Sequence, residues 1–317
     1  VRAYFAPVQR GTEMPAIFDP GRDGFFDLDG APAPWVDLGW VENFERLSGT
    51  TGGAPRGGSP GVVLFQHRIS LEARVEFDFM EWGKLQMALA GGSQHMNVLA
   101  TEPNADPQPS GGAPLAAVAV LPGSTANELV LGAGVLESFK VGDVLAVDVD
   151  YQQEVGYVGS GIAAAYVRDP QDVKRDPHYS RRVTFNVGRV AAKTATSVLL
   201  TQPLIGGVPL PGAAAQRVVG FVDREGGSFF QDWSGLFVLE EESGGRLCFY
   251  YPRLSPSTAA ANTANGFQRE RRVEIAKPVE AISLHASLVA LSHRDPNDGE
   301  LVLCYRSYFP DPDASIY

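Results

Sequence analysis

The chain has 317 residues, a formal net charge of −11, 44% hydrophobic residues and 20% charged residues. That length suffices for two domains, or for one domain built from duplicated units, with a core that needs no staples. The acidic balance and the lack of a basic stripe exclude a groove-reading nucleic-acid binder, and no stretch approaches the roughly 18 apolar residues of a membrane span. Glycine (35) and proline (23) are abundant. Both weaken helix interiors and mark turns, so many short strands are expected. The two cysteines, Cys248 and Cys304, sit in apolar strand-like runs with no zinc or disulfide spacing, which predicts buried free thiols. Val1 to Tyr4 carries no signal-peptide core. The expectation is a protein made and held in a reducing cytoplasm until it joins something larger.

The first 30 residues read as loop, with turn signals at Asp19-Pro20-Gly21 and Arg22-Asp23-Gly24. Trp35 to Leu47 reads as a strand region, and Ser48 to Gly61 as a long loop of small residues. From Ile69 the alternation is strict. Ile69, Leu71, Ala73, Val75 and Phe77 take one face; Ser70, Glu72, Arg74, Glu76 and Asp78 take the other. A helix over 79–90 is predicted next, capped by Asp78 with Glu81 three residues on, and ended by Gly91-Gly92. A Pro/Gly/Asp linker runs from Thr101 to Pro114.

Residues 115–223 read as a middle β region. It holds a turn at Phe139 to Asp143, a strand over Val144 to Tyr151, and a strand pair at Val183 to Val190 and Thr196 to Gln202. A hairpin follows at Leu236 to Leu239 and Leu247 to Tyr251, turning at Ser243-Gly244-Gly245. Ser255 to Gly266 reads as a second long loop, and Val273 to Leu291 and Leu301 to Phe309 as closing strands. A short internal repeat links the ends. Arg46-Leu47-Ser48 precedes Ile69-Ser70-Leu71-Glu72-Ala73, and Arg253-Leu254-Ser255 precedes Ile282-Ser283-Leu284-His285-Ala286. The expected organisation is a first tube-like β unit over 1–114, the middle region over 115–223 and a second tube-like unit over 224–317.

Motifs that carry chemistry are weak. Gly57-Gly58-Ser59-Pro60-Gly61 fits the pattern of a serine nucleophile elbow, but lacks the strand before and helix after that the elbow needs. Pro60 also removes a backbone N–H from any oxyanion hole. Gly159-Ser160-Gly161 resembles a fragment of a dinucleotide fingerprint without its βαβ setting. His67, His95, His178, His285 and His293 show no metal-ligand spacing. Asp148 and Asp150 share a strand face that is either a cation site or simply solvated. No enzyme activity, cofactor or metal is expected.

Trp35-Val36-Asp37-Leu38-Gly39-Trp40-Val41-Glu42, the long loop, the alternating strand and the helix near Glu81 to Ala90 together resemble the major tail (tail tube) proteins of long-tailed bacteriophages. Phe139 to Tyr151, Gly220 to Phe237 and Leu301 to Pro310 resemble segments of other phage-type tail proteins. The resemblance implies a mainly β fold, a β-sandwich or barrel flanked by one short helix. It implies a virion tail component, made in the host bacterial cytoplasm. Its partners would be itself, in a hexamer or a trimer with pseudo-sixfold symmetry stacked into a tube, with tape-measure and other tail proteins. DNA would pass through transiently, and no membrane insertion is implied. Many tube subunits are about half this long, a departure that bears on ring symmetry.

On this reading Glu72, Arg74, Glu76, Asp78, Ser283 and His285 face the lumen. The Ile69–Asp78 face carries three acids and one base, a net of −2, which would repel the phosphate backbone. The same face could instead meet solvent outside. Ser48, Thr50, Arg56 and Ser59 in the first loop, and Ser255, Thr258, Asn262 and Asn265 in the second, are expected to contact neighbouring subunits or rings, ordering on assembly. The alternatives are another tail, baseplate-adaptor or injection-system part, and a hydrolase using Ser59.

Overall fold

The computed structural model describes residues 1–8, 12–54, 56–57, 62–63, 67–100, 115, 117–149, 156–159, 164–167, 181–182, 184–224, 231–242, 244–257 and 284–311. The main elements in chain order are β1 (Arg2–Pro7), α1 (Pro20–Asp23), β2 (Val36–Gly53), β3 (His67–Phe79) and α2 (Lys84–Gly91). Then come β4 (Gln94–Leu99), β5 (Glu128–Val130), β6 (Val144–Val149), β7 (Val187–Lys193), β8 (Ser197–Leu200) and β9 (Ala213–Arg224). The chain finishes with β10 (Trp233–Glu240), β11 (Arg246–Pro256), β12 (Leu284–Ala290) and β13 (Tyr305–Phe309).

The fold is mainly β, with two large antiparallel sheets. In the first, the strands run β10-β1-β2-β3-β12-β11, and β11 pairs back onto β10. The ring of pairings is therefore closed, which removes edges wherever both neighbours are present. β13 adds to the edge of β11 at Arg246 to Tyr250, below the short pairing of β11 with β12. Side-chain alternation fills the interior. Ala73, Val75, Phe77 and Phe79 on β3 point inward and meet Phe5, Phe237, Tyr251 and Leu288. Phe77 and Phe79 pack edge to face at 4.9 Å, as do Phe5 and Phe237 at 5.6 Å. Each buried phenyl stabilises by about 2–3 kcal/mol.

The two outer sides of the barrel differ. Over β1, β10 and β11, residues 13–35 lie as a cover, with Phe18 and Trp35 packed on Tyr4, Leu236, Val238, Cys248 and Tyr250. Hydrogen bonds fasten it. The Tyr250 hydroxyl donates to Ala16 O at 2.8 Å, and Arg246 Nη1 donates to Gly24 O and Phe26 O. The side formed by β2, β3 and β12 has no such cover among the described residues.

The second sheet is ordered Arg181–Arg182, β4, β9, β6, β7, β8, β5, with Val118–Ala119 also on β9. Its own core holds Leu129, Leu145, Val147, Val190, Val198 and Ala215. At the junction, α2 sends Leu85, Ala88 and Leu89 into the barrel cluster, and Phe185 stacks edge-on against Trp233 at 5.0 Å.

Several expectations need correction. The segments 1–114 and 224–317 do not build two units; each supplies three neighbouring strands, β1-β2-β3 and β12-β11-β10, to one barrel. The repeated strand pairs β2–β3 and β11–β12 lie side by side, with β3 against β12. Neither pair could cover its own apolar face alone. Asp78 does not cap a helix, because β3 runs on to Phe79, where pairing with both neighbours already satisfies the backbone. α2 starts later, at Lys84, behind Gly83 and without a side-chain cap, while Gly92 supplies the left-handed C-cap at φ 56°. Ser48 to Gly53 is strand rather than loop. Ser255 is a buried strand residue opposite Val289, not a loop residue. The hairpin read at Leu236 to Tyr251 is present as β10–β11, closed by Gly244 N–H to Glu241 O at 2.9 Å.

Candidate functional site

The uncovered side of the barrel is built by alternation. Because Ala73, Val75, Phe77 and Phe79 point inward, Glu72, Arg74, Glu76 and Asp78 must point out. β12 is in register, placing His285 beside Asp78 and Ser287 beside Glu76. β2 places Glu42 opposite Asp78 and Glu45 opposite Glu76. The result is a three-strand face with five carboxylates, Glu42, Glu45, Glu72, Glu76 and Asp78, against Arg74 and His285.

Asp78 is the most tightly held of these. Asn43 Nδ2 donates to its Oδ2 at 2.6 Å, and His285 Nδ1 lies 2.8 Å from its Oδ1. Asn43 reaches it from a bulge between Glu42 and Glu45, with φ at 51°. Asn tolerates that left-handed conformation better than most residues. The Ser287 hydroxyl donates to Glu76 Oε1 at 3.2 Å, and Arg74 Nη1 lies 3.6 Å from the same oxygen. The Arg74–Glu76 pair is long and only half-buried and contributes little, and with five carboxylates against one arginine the face is net acidic. Among the described residues, no three His, Cys, Asp or Glu side chains come together as metal ligands.

β2 and β3 continue beyond the barrel as a two-stranded arm. β3 pairs with β12 only from Arg74 to Phe79, whereas it pairs with β2 back to His67. Residues 70–72 and 47–50 are exposed on both faces, including Leu47 and Leu71. Farther out, Arg56–Gly57 pairs with Val62–Val63. Among the described residues, no strand meets the outer edge of β2 from Glu42 to Gly53, or that of β3 from His67 to Ala73.

Of the residues singled out from sequence, Glu72, Arg74, Glu76, Asp78 and His285 come together on one face. Ser48 and Thr50 lie in the arm opposite Ala73 and Leu71, and Arg56 is exposed near its tip. Ser59, Thr258, Asn262, Asn265 and Ser283 lie outside the described residues. Sequence reasoning missed Glu42, Glu45, Asn43 and Ser287, which join the face only through strand pairing.

It also missed two enclosed cations. Arg46 points into the barrel mouth, where its Nε donates to the Tyr251 hydroxyl at 2.8 Å over the Phe249 ring. Lys84 as a residue is half-buried, and its amine lies near the rings of Phe185 and Phe221, donating to Asn97 Oδ1 at 2.7 Å and to Thr184 O. Enclosure without a carboxylate pushes the Lys84 pKa well below the ordinary lysine value. Comparison with known proteins gives no match, either to a family model or to a curated protein.

Proposed function

We propose that this chain is a structural subunit of a phage-type tail tube, assembling with copies of itself into stacked rings around an acidic channel for DNA. One observation carries the reading: among the described residues, no strand pairs with either outer edge of the β2–β3 arm where it leaves the barrel. A lone two-stranded ribbon is marginal in water, and an open edge is a template for another strand. Copies of the same chain can supply that strand.

The acidic face supports the reading because it lies on the same two strands. Edge pairing between subunits would join these faces into one continuous wall. Carboxylates on such a wall repel phosphates and keep passing DNA from sticking. Both halves of the sequence repeat are used in one barrel, so each chain offers one such face. That favours a ring of six over a trimer with pseudo-sixfold symmetry. In this role the protein resides in a virion tail, beside tape-measure and other tail proteins, after synthesis in the host bacterial cytoplasm.

Negative-stain imaging of the purified full chain tests the proposal. Hollow tubes of uniform width are expected. Single rings that never stack would indicate an adaptor or baseplate part instead. Monomers that persist at high concentration would overturn the proposal.

A further inference from the structure

The arm has a counterpart at the other end of its own strands. Where β2 enters and β3 leaves the barrel, Trp40, Met80 and Trp82 are exposed, the two tryptophans by 53% and 45%. Exposed tryptophans are uncommon and are enriched at binding hot spots. Glu81 lies between Met80 and Trp82, with its carboxyl about 4.0 Å from where a side chain on Gly39 would begin. Glu42 and Asp29 are also exposed nearby, and Arg2, held by Asp29 and Asp37, places its guanidinium 5.8 Å from the Trp40 ring. This end is therefore aromatic and acidic, with a guanidinium already lodged on one tryptophan.

The arm is its chemical complement. Beyond Glu72 at its base, the arm carries Arg56 and Arg68 and no acid from Gly49 to Leu71, although the whole protein has a net charge of −11. Leu71 adds an exposed apolar side chain. Arginine suits both halves of such a patch, stacking on tryptophan while pairing with carboxylate. The arm cannot reach its own patch. Val41 and Gly53 are 12 positions apart on one paired strand, so patch and arm tip are separated by roughly 40 Å.

We infer that the Trp40–Met80–Glu81–Trp82 patch receives the arginine-bearing arm of a second copy, in a head-to-tail contact. Unlike surfaces meet in this contact, so it propagates instead of closing on itself as a dimer. The inference rests on the self-assembly reading above and specifies which surfaces meet along the axis of growth.

A charge swap tests it in the full-length chain. R56E with R68E, and separately E42R with E81R, places like charges together, and each pair should raise the concentration needed for elongation by at least about tenfold. Combining all four substitutions in one chain should restore most of the loss, which also shows that the variants fold. Elongation unchanged in both pairs, or no rescue in the combined chain, would overturn the contact while leaving a tube built on other surfaces intact. A wild-type chain that never elongates would overturn both readings. Charge-dependent short chains that never become tubes would uphold the contact and sink the tube.

Discussion

β2 and β3 each have two lives. Within the barrel, from Arg74 to Phe79, every inward side chain of β3 is buried and the strand is paired on both sides, with β2 and β12. Only a few residues earlier on the same strand, Leu71 is 45% exposed and, among the described residues, just one edge is paired. The covalent chain, the strand conformation and the partner strand are the same. What changes is the third neighbour, β12, and the floor of the barrel. A strand's contribution to stability thus comes from what covers it, not from its own propensity.

That contrast can be broken by substitution. Phe77→Ala removes a fully buried ring and should lower unfolding stability by about 3–5 kcal/mol, read from denaturant titration of unassembled chain. If it proves near neutral, the barrel interior is not the core.

The junction should respond to pH through Lys84. Its folded pKa is depressed, so between that value and the ordinary 10.5 the unfolded chain binds more protons than the folded one. Stability from this group therefore rises with pH across that window and is lost as pH falls through the folded pKa. The difference between wild type and Lys84→Met, taken over alkaline pH, should show this slope. A flat difference would mean the amine is not enclosed.

The smallest effect belongs to the arm. Leu71→Ala should shift the stability of unassembled chain by no more than about 0.5 kcal/mol. A loss comparable to that of Phe77→Ala would erase the distinction between the two stretches.

The parts of this molecule that were legible in sequence are the local ones. The alternation around Val75 and Phe77 identified the inward face, because a period of two leaves no other arrangement. Glycines marked real reversals at Gly142 (φ 93°) and Gly244 (φ 98°), where the left-handed backbone excludes most side chains. What failed depended on distant pairing. Ser48 to Gly53 looked like loop from its glycine, serine and threonine content, yet ladder hydrogen bonds to β3 hold it as strand whatever the side chains. Asp78 matched a helix cap locally, but β2 and β12 had already claimed its backbone and side chain. Nothing in the local pattern announced that strands from both ends of the chain would share one barrel. The acidic face was half visible for the same reason: β3 carried its own signal, while Glu42 and Glu45 joined it only by register.

Amide hydrogen exchange on the arm, compared between unassembled and assembled protein, most directly tests whether other copies satisfy its open edges. Residues 49–53 and 67–72 should exchange fast in unassembled chain and become strongly protected on assembly, while residues 74–79 stay protected in both. Equal exchange of the arm in the two states would show that its edges meet no sister strand, and would contradict the account.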